Sequence, residues 1–455
     1  MAYGCRVNER ANEPRNESEG GRRTRTILGL PMLYWGLWLA ILILWMGRFV
    51  ISFMSMYLVN DLGADASTAG TVVSMYGFGG IAGCLFGGAL SDRFGREPMI
   101  VAGELGSAAM LVALSFIGSP AVMGAALLVY GAISSIPTPA IAAYIADVVP
   151  PRMHKRAYTL QTWAVNFGFA IGPIIANQLV RVSYRLMFYF EATILVAVTA
   201  MLVAFFRRMG VDVATASRRM HEAYEAQEAQ GAHGMRGESA PVSMAANYRR
   251  ALTDWPFMSM VLLMFGYTVA YFQMTSGLPI AMTQLGLGTG EYSMVLTVNG
   301  AILCLLQIPA IAVFNRMSNT RVLVLGMLVT AGGYAFQIGA GSWHGFVIAA
   351  VLWTLGELGT FPIAATTVAG LSPATARGTY QGVYNLAWAL SQALAPLIGG
   401  GVIAVFGARM LWQACTVTFL LVALGLMLTK GARERAVARN LGGLQGRDGS
   451  APQAI

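Results

Sequence analysis

The dominant pattern along the chain is the repetition of long apolar stretches separated by short polar turns. Each stretch has about 20 residues or more, the length at which a helix crosses the hydrocarbon core of a bilayer with its backbone hydrogen bonds satisfied internally. The pattern therefore predicts an all-α integral membrane protein with twelve membrane-spanning helices. The predicted spans are residues 33–58, 68–90, 98–118, 121–145, 157–180, 184–206, 257–281, 292–314, 322–340, 345–368, 379–405 and 410–428.

One long polar segment, residues 207–256, separates the predicted spans into two groups of six. It is polar on every side over much of its length, which favours a solvated helix or a flexible linker. We expect this linker to be cytoplasmic. The predicted organisation is an N-terminal tail (1–32), a six-helix bundle (33–206), the linker, a second six-helix bundle (257–428) and a C-terminal tail (429–455).

The two groups of six spans also resemble each other in sequence. Three prolines of the first group recur in the second, each 223 residues later, and the same offset relates two matching polar turns. We interpret this as a duplicated six-helix unit, an arrangement in which two units enclose a central cavity and rock around a site near the bilayer midplane. The repeat thus indicates transport. The related positions are Pro139 and Pro362, Pro150 and Pro373, Pro173 and Pro396, and Asp92–Arg93 and Asn315–Arg316.

Composition agrees with a membrane location. Hydrophobic residues make up 56% of the chain and charged residues 11%, against roughly a quarter charged residues in soluble domains. The mean hydropathy is +0.60. The net charge of +9 lies in short turns and tails rather than on one polar face, so it indicates membrane topology and argues against nucleic acid as a partner.

The basic residues also predict the orientation. With the N-terminus inside, the outer turns hold only Arg181, Arg185 and Arg409, and cytoplasmic loops are those that retain Lys and Arg. Both termini are therefore predicted to be cytoplasmic. The use of 28 Arg against 2 Lys suggests a GC-rich bacterial genome. We expect a multi-pass protein of the bacterial inner (cytoplasmic) membrane that functions as a monomer.

The turn after the second predicted span carries the most specific motif, Gly-Ala-Leu-Ser-Asp-Arg-Phe-Gly-Arg. It resembles the signature loop of the major facilitator superfamily, and with the two groups of six spans the resemblance covers nearly the whole chain. Glu97 departs from the signature, where a second basic residue is usual. The matching residues are Gly88, Asp92, Arg93, Gly95 and Arg96.

This resemblance implies the major facilitator fold and a gate on the cytoplasmic face. An Asp at a helix end can form a charge-assisted cluster with nearby arginines. In the superfamily this cluster is thought to lock the outward-facing state, with help from an acid that ends the fourth span, and Asp147 occupies that place here. The alternative is that Arg93 and Arg96 only fix topology, which would need neither the Asp nor the glycines.

A second motif lies in the fifth predicted span. Gly168, Gly172 and Pro173 resemble the Gly-Pro motif of the drug:proton antiporter branch of the superfamily. Ala176 and Asn177 stand where that motif has a glycine pair. The proline bends the helix and the glycines allow close contact, whereas export as the direction of transport follows from the resemblance alone.

Four ionisable residues fall within predicted spans, and each costs about 2.5–3.5 kcal/mol at the midplane unless it has a partner or water. Arg48 and Glu357 lie near the centres of the first and tenth spans, which both line the central cavity in the superfamily. We expect the two to face each other, with Glu357 exchanging a proton and Arg48 acting as a fixed charge. The alternative is an ion pair that only holds two helices together.

The other two intramembrane acids have a more structural interpretation. Glu191 is expected near the outer surface, paired with Arg185, and Glu104 is expected near the Arg93–Arg96 cluster. Many exporters of the superfamily carry an Arg in the fourth span that is tied to proton coupling. Nothing in that span is basic here, so either Arg48 takes this role from another helix or the coupling differs.

Aromatic residues on the expected cavity helices are candidate substrate contacts, namely Tyr130, Tyr267 and Tyr271. Tyr271 lies at the repeat position of Arg48. An apolar cavity with aromatic walls and few polar groups suits lipophilic or amphiphilic compounds.

No nucleotide-binding loop, catalytic motif or metal-ligand spacing is found in the sequence. We therefore expect no enzyme activity, no metal and no cofactor, with the proton gradient as energy source. The first hypothesis is a proton-coupled exporter of small hydrophobic molecules such as drugs or secondary metabolites. The alternatives are a proton-coupled importer of a small metabolite, a membrane sensor or scaffold that transports nothing, and a membrane-embedded enzyme. The expected partners are a small-molecule substrate, protons and the lipid bilayer.

Overall fold

The computed structural model describes residues 26–27, 29–149, 153–209, 244–314, 316–373 and 376–448. Much of the predicted tails and linker, and the repeat positions Pro150 and Asn315, lie outside this part of the chain. Apart from a short hairpin of β1 (Thr26–Ile27) and β2 (Leu30–Pro31), the regular structure of the described residues is helical.

The first eight helices are called the N-terminal half. The first predicted span is broken near its middle, because α1 ends at Gly47 and α2 begins at Val50. The bounds are α1 (Met32–Gly47), α2 (Val50–Asn60), α3 (Ala66–Phe94), α4 (Arg96–Leu114), α5 (Pro120–Ser135), α6 (Pro137–Val148), α7 (His154–Val180) and α8 (Tyr184–Met209).

Helix α9 (Met244–Thr253) leads into the C-terminal half, which comprises α10 to α16. The first span of this half is also broken, by a 3-10 turn (Phe272–Met274) that separates α10 from α11. The final helix, α17, lies against the ends of α14 and α16. The bounds are α10 (Trp255–Tyr271), α11 (Gly277–Gln284), α12 (Thr289–Phe314), α13 (Asn319–Gln337), α14 (Trp343–Leu371), α15 (Arg377–Phe406), α16 (Ala408–Leu428) and α17 (Lys430–Asp448).

Within the described residues, eleven spans are long and apolar enough to cross a membrane, and they correspond to eleven of the twelve predicted ones. The ninth predicted span, 322–340, is helix α13, which is less apolar because Asn319, Arg321 and Gln337 lie near its ends. Its 19 residues equal the length of α4, and it packs closely against α14 and α16. The all-α membrane fold is therefore confirmed.

Two antiparallel helix pairs join the halves, α3 with α15 and α7 with α12. At Gly77 an added Cβ would lie 2.4 Å from the Cα of Ala393, and at Gly300 it would lie 2.6 Å from the Cα of Ala170. These contacts are equivalent under the sequence repeat, because residues 77 and 300, and residues 170 and 393, are each 223 apart. The offset seen in the prolines thus also relates the contacts between the halves.

The end of the bundle at which α1 begins is called the near end, and the opposite end the far end. At the far end the halves touch through the rings of Phe53 and Tyr292, whose centroids are 5.3 Å apart. The Thr289 hydroxyl also donates to the Asn177 side-chain oxygen over 3.4 Å. The halves are therefore packed together at the far end.

Candidate functional site

A cavity of about 540 Å³ lies between the two halves. Its volume is typical of sites that bind small molecules. Its wall continues toward the near end along α7 and α15, where Thr162, Asn166 and Trp388 line it. Four of the five predicted cavity residues line it: Arg48, Tyr130, Tyr271 and Glu357.

Arg48 reaches the cavity because α1 ends beside it, and the glycines of the fifth-span motif lie against this end of α1. A Cβ at Gly168 would lie 2.6 Å from the Cβ of Trp45, and one at Gly172 would lie 3.2 Å from the carbonyl oxygen of Met46. Pro173 lies within α7 on the far side of these contacts. The close packing predicted for the two glycines is thus present, and it places α7 beside the break in the first span.

The partner of Arg48 is Glu104 of α4. Both Glu104 carboxylate oxygens lie 2.9 Å from Arg48 Nη2, and the Glu104 side chain is 1% exposed against 25% for Arg48. The predicted pairing of Arg48 with Glu357 is therefore wrong, and so is the placement of Glu104 near the Arg93–Arg96 cluster. The guanidinium pairs with a carboxylate of its own half, since an unpaired charge is costly at this depth.

This ion pair predicts a non-additive effect on stability. Glu104→Gln should lower the free energy of unfolding by about 3 kcal/mol, because it leaves a largely buried guanidinium without a counter-ion. Adding Arg48→Met should restore most of that loss. Unfolding of the detergent-solubilised protein measures both. Equal destabilisation by the single and the double substitution would contradict the pair.

Glu191 of α8 caps the helix that follows the break. Its Oε2 accepts hydrogen bonds from the backbone N–H groups of Phe49 (3.2 Å) and Val50 (2.9 Å), and its Oε1 accepts one from the Tyr130 hydroxyl (3.1 Å). The predicted pairing of Glu191 with Arg185 is therefore wrong. The break leaves backbone donors without helical partners, and a carboxylate at a helix N-terminus satisfies them and complements the helix dipole.

In the C-terminal half Glu357 has only neutral hydrogen-bond donors. The Tyr271 hydroxyl donates to Oε1 over 2.8 Å, and the Asn299 amide donates to Oε2 over 2.9 Å. Among the residues that the structure describes, no Lys or Arg lies within ion-pair distance of this carboxyl. Glu357 is 4% exposed. Burying a carboxylate without a cation is unfavourable, so this group can serve as a proton acceptor in the cavity wall.

The cavity residues of the two halves occupy equivalent positions. Arg48, Tyr76 and Ser134 precede Tyr271, Asn299 and Glu357 by 223 residues each. The Ser134 hydroxyl donates to the Tyr76 oxygen over 3.4 Å, and Asn299 donates to Glu357 in the same place. Sequence reasoning missed Tyr76, Ser134 and Asn299, although the 223-residue offset applied to the predicted residues would have found Ser134.

Aromatic rings form much of the cavity wall. On the C-terminal side Phe361 lies edge-on to Tyr271 and to Trp388, with ring centroids 4.9 and 5.0 Å apart. On the N-terminal side the rings of Tyr76 and Tyr130 are 5.4 Å apart. The wall is thus suited to flat apolar groups.

Tyr267 does not line the cavity, so its prediction as a cavity residue is wrong. Its ring stacks on that of Tyr271 with centroids 5.9 Å apart, and the residue is fully buried. Tyr267 lies one helical turn before Tyr271, and its side chain is directed into the packing against Phe419. It supports Tyr271 from behind.

The predicted gate motif lies at the near end, where α3 meets α4. Gly95 joins the two helices with a φ of +96°, a value that favours glycine. Arg96 Nη1 donates to the Ser91 hydroxyl over 3.4 Å, and the Arg93 guanidinium lies 5.4 Å from the Phe94 ring centroid. The side chains of Asp92 and Asp147 lie outside the described part of the chain, so the charge cluster between the four residues stays a prediction.

Comparison with known proteins agrees with this architecture. The chain is 25% identical over 364 residues to the multidrug resistance protein MdtH of Yersinia pestis, covering 78% of this chain and 82% of that protein. It is 25% identical over 369 residues to a Na(+), Li(+), K(+)/H(+) antiporter of Planococcus maritimus, covering 76% and 84%.

A crystal structure of a POT family transporter in complex with 5-aminolevulinic acid shares the fold, with a TM-score of 0.71 over 90% of this chain and 98% of that one at 14% identity. The family model of the Major Facilitator Superfamily matches residues 37–298 and 278–448. With two halves packed around a central cavity and a family match over most of its length, the chain belongs to the Major Facilitator Superfamily and is a membrane transporter rather than an enzyme.

Proposed function

We propose that this transporter exports small hydrophobic or amphiphilic molecules in exchange for protons. The observation that carries the proposal is Glu357, a buried carboxyl in the cavity wall whose partners are all neutral. Such a group can bind a proton when the cavity faces one side of the membrane and release it when the cavity faces the other. Arg48 cannot release its proton and already has Glu104 as counter-ion.

The arrangement of the two halves gives this proton a route. The halves are packed at the far end, and the cavity wall continues toward the near end. With the N-terminus in the cytoplasm, as the basic residues predict, this conformation would load substrate from the cytoplasm. Rocking of the halves would then open the far end, where Glu357 would take up a proton and the substrate would leave.

Two further findings favour export of lipophilic compounds. One relative is named as a multidrug resistance protein and another as an antiporter that uses protons. The aromatic wall formed by Tyr271, Phe361 and Trp388 would bind flat apolar groups. We propose the bacterial inner membrane as the location, with both termini in the cytoplasm and a single chain as the working unit.

The proposal is tested by expression in efflux-deficient bacteria and measurement of the accumulation of lipophilic cations, neutral antibiotics and dyes. We expect accumulation of at least one compound to fall relative to cells with an empty vector, and a protonophore to remove the difference. Raised accumulation would instead support the proton-coupled importer. No change for any compound, together with no proton movement in proteoliposomes on substrate addition, would contradict proton-coupled export.

A further inference from the structure

We infer that Tyr130 and Glu191 recognise positive charge on the substrate, so that the cavity selects monovalent organic cations over neutral molecules of the same shape. This inference rests on the proposed function and narrows its substrate class. It also separates two roles, because charge recognition lies in the N-terminal half and proton exchange at Glu357 in the C-terminal half.

The charge balance around the cavity is the first argument. Three carboxyls and one guanidinium lie on or directly behind its wall, those of Glu104, Glu191, Glu357 and Arg48. Arg48 and Glu104 neutralise each other at 2.9 Å. Glu191 and Glu357 then remain without a cation among the residues that the structure describes. An excess of negative charge in a low-dielectric cavity attracts a cation strongly.

The second argument is that Glu191 is held as an anion. Two backbone N–H groups at the start of α2 and the Tyr130 hydroxyl donate to its carboxylate, and hydrogen bonds of this kind stabilise the charged form. The charged and titratable side chains around it are Arg48 on α1, Tyr76 on α3 and Tyr130 on α5, and of these only Arg48 is a cation. Its charge is already paired with Glu104, so the charge of Glu191 is available to a ligand.

The third argument concerns the surface that a ligand would touch. Glu191 is 2% exposed and Tyr130 is also 2% exposed, but both line the cavity, and the Tyr130 ring lies beside the ring of Tyr76. A tyrosine whose hydroxyl donates to a carboxylate presents a more electron-rich ring. Aromatic faces bind cations, and quaternary or delocalised organic cations suit them because these ions are weakly hydrated.

The C-terminal half shows by contrast why the roles differ. Glu357 also accepts a hydrogen bond from a tyrosine, Tyr271, but its other donor is a side-chain amide and no helix N-terminus faces it. Its charge is therefore less well stabilised than that of Glu191. The same tyrosine–carboxyl pairing thus gives a fixed anion in one half and a proton acceptor in the other.

The test compares two probes on the purified protein in nanodiscs, the cation tetraphenylphosphonium and the neutral triphenylphosphine oxide. We expect the wild-type protein to bind the cation about tenfold more tightly than the neutral probe. Glu191→Gln should bring the two affinities together and leave that of the neutral probe unchanged, which also shows that the variant is folded. Tyr130→Phe, which keeps the ring and removes the donor, should lose part of the preference. Glu291→Gln at the start of α12 is the matched control and should behave as wild type.

Three outcomes would overturn the inference. One is equal affinity of the wild-type protein for both probes. Another is a Glu191→Gln variant that binds both probes equally less well, which would mean that Glu191 only holds the break between α1 and α2. The third is loss of the preference in Glu357→Gln but not in Glu191→Gln. None of these outcomes touches proton-coupled export, which fails instead if protonophores have no effect on accumulation.

Discussion

Replacing Glu357 by glutamine should abolish transport against a gradient and leave substrate exchange intact. Glutamine fits the same space and can still accept from Tyr271 and pair with Asn299, but it cannot bind and release a proton at any physiological pH. The cavity should therefore still bind substrate and change conformation without coupling to protons. We expect the uphill rate in proteoliposomes with an imposed pH gradient to fall by about a hundredfold or more, which corresponds to about 2.7 kcal/mol.

The matched control for this prediction is Glu291→Gln. Glu291 lies in the first turn of α12, away from the cavity, where its side chain accepts from the backbone N–H of Gly288. The same change of a carboxyl to an amide should leave uphill transport unchanged there. If Glu357→Gln still concentrated substrate in response to the pH gradient, Glu357 would not be the coupling group and another carboxyl would have to take that role.

The second large effect is expected where the halves touch most closely. A methyl group at Gly77 or Gly300 would lie 2.4 or 2.6 Å from a backbone Cα atom of the other half, closer than any real carbon–carbon contact. Gly77→Ala and Gly300→Ala should therefore disfavour the conformation with the far end closed and populate the one with the far end open. Transport should fall by about tenfold or more in each variant, because the cycle needs both conformations.

Disulfide cross-linking measures this shift directly. The side chains of Asn177 and Thr289 meet across the far end at 3.4 Å, so cysteines at the two positions should cross-link when that end is closed. The yield should drop in Gly300→Ala and stay unchanged in Gly382→Ala, a helical glycine with open space around it. The native cysteines are replaced beforehand. A full cross-link yield together with full transport in Gly300→Ala would contradict the expected steric role.

Much of the fold could be predicted from the sequence because apolar stretches of membrane length have few alternatives to a helix. The break in the first span is harder to predict. Arg48 was read as a charge within a continuous helix, but the helix ends beside it and Glu191 caps the next one. Nothing in local hydropathy marks this break, because residues on both sides of it are equally apolar.

The cavity could be predicted in outline, through Arg48, Glu357, Tyr130 and Tyr271, because intramembrane charges and their repeat positions are recognisable in sequence. The ion pairs could not be predicted, because they depend on which helix faces which. Glu104 lies two turns along α4 from the gate motif, but its side chain reaches Arg48 and not Arg96. Such a partner follows from helix rotation, which the near-uniform apolar composition of these helices does not encode.

The ion pair between Arg48 and Glu104 has a consequence for biosynthesis. Arg48 is synthesised 56 residues before its partner, so the first span must enter the bilayer while its guanidinium has no counter-ion. Insertion of an Arg at the centre of a helix costs about 2.5–3.5 kcal/mol, and each Leu or Ile offsets about 0.3–0.6 kcal/mol. The Leu and Ile residues of α1 therefore carry the charge into the membrane. Arrival of α4 from the ribosome then fixes the first span in place.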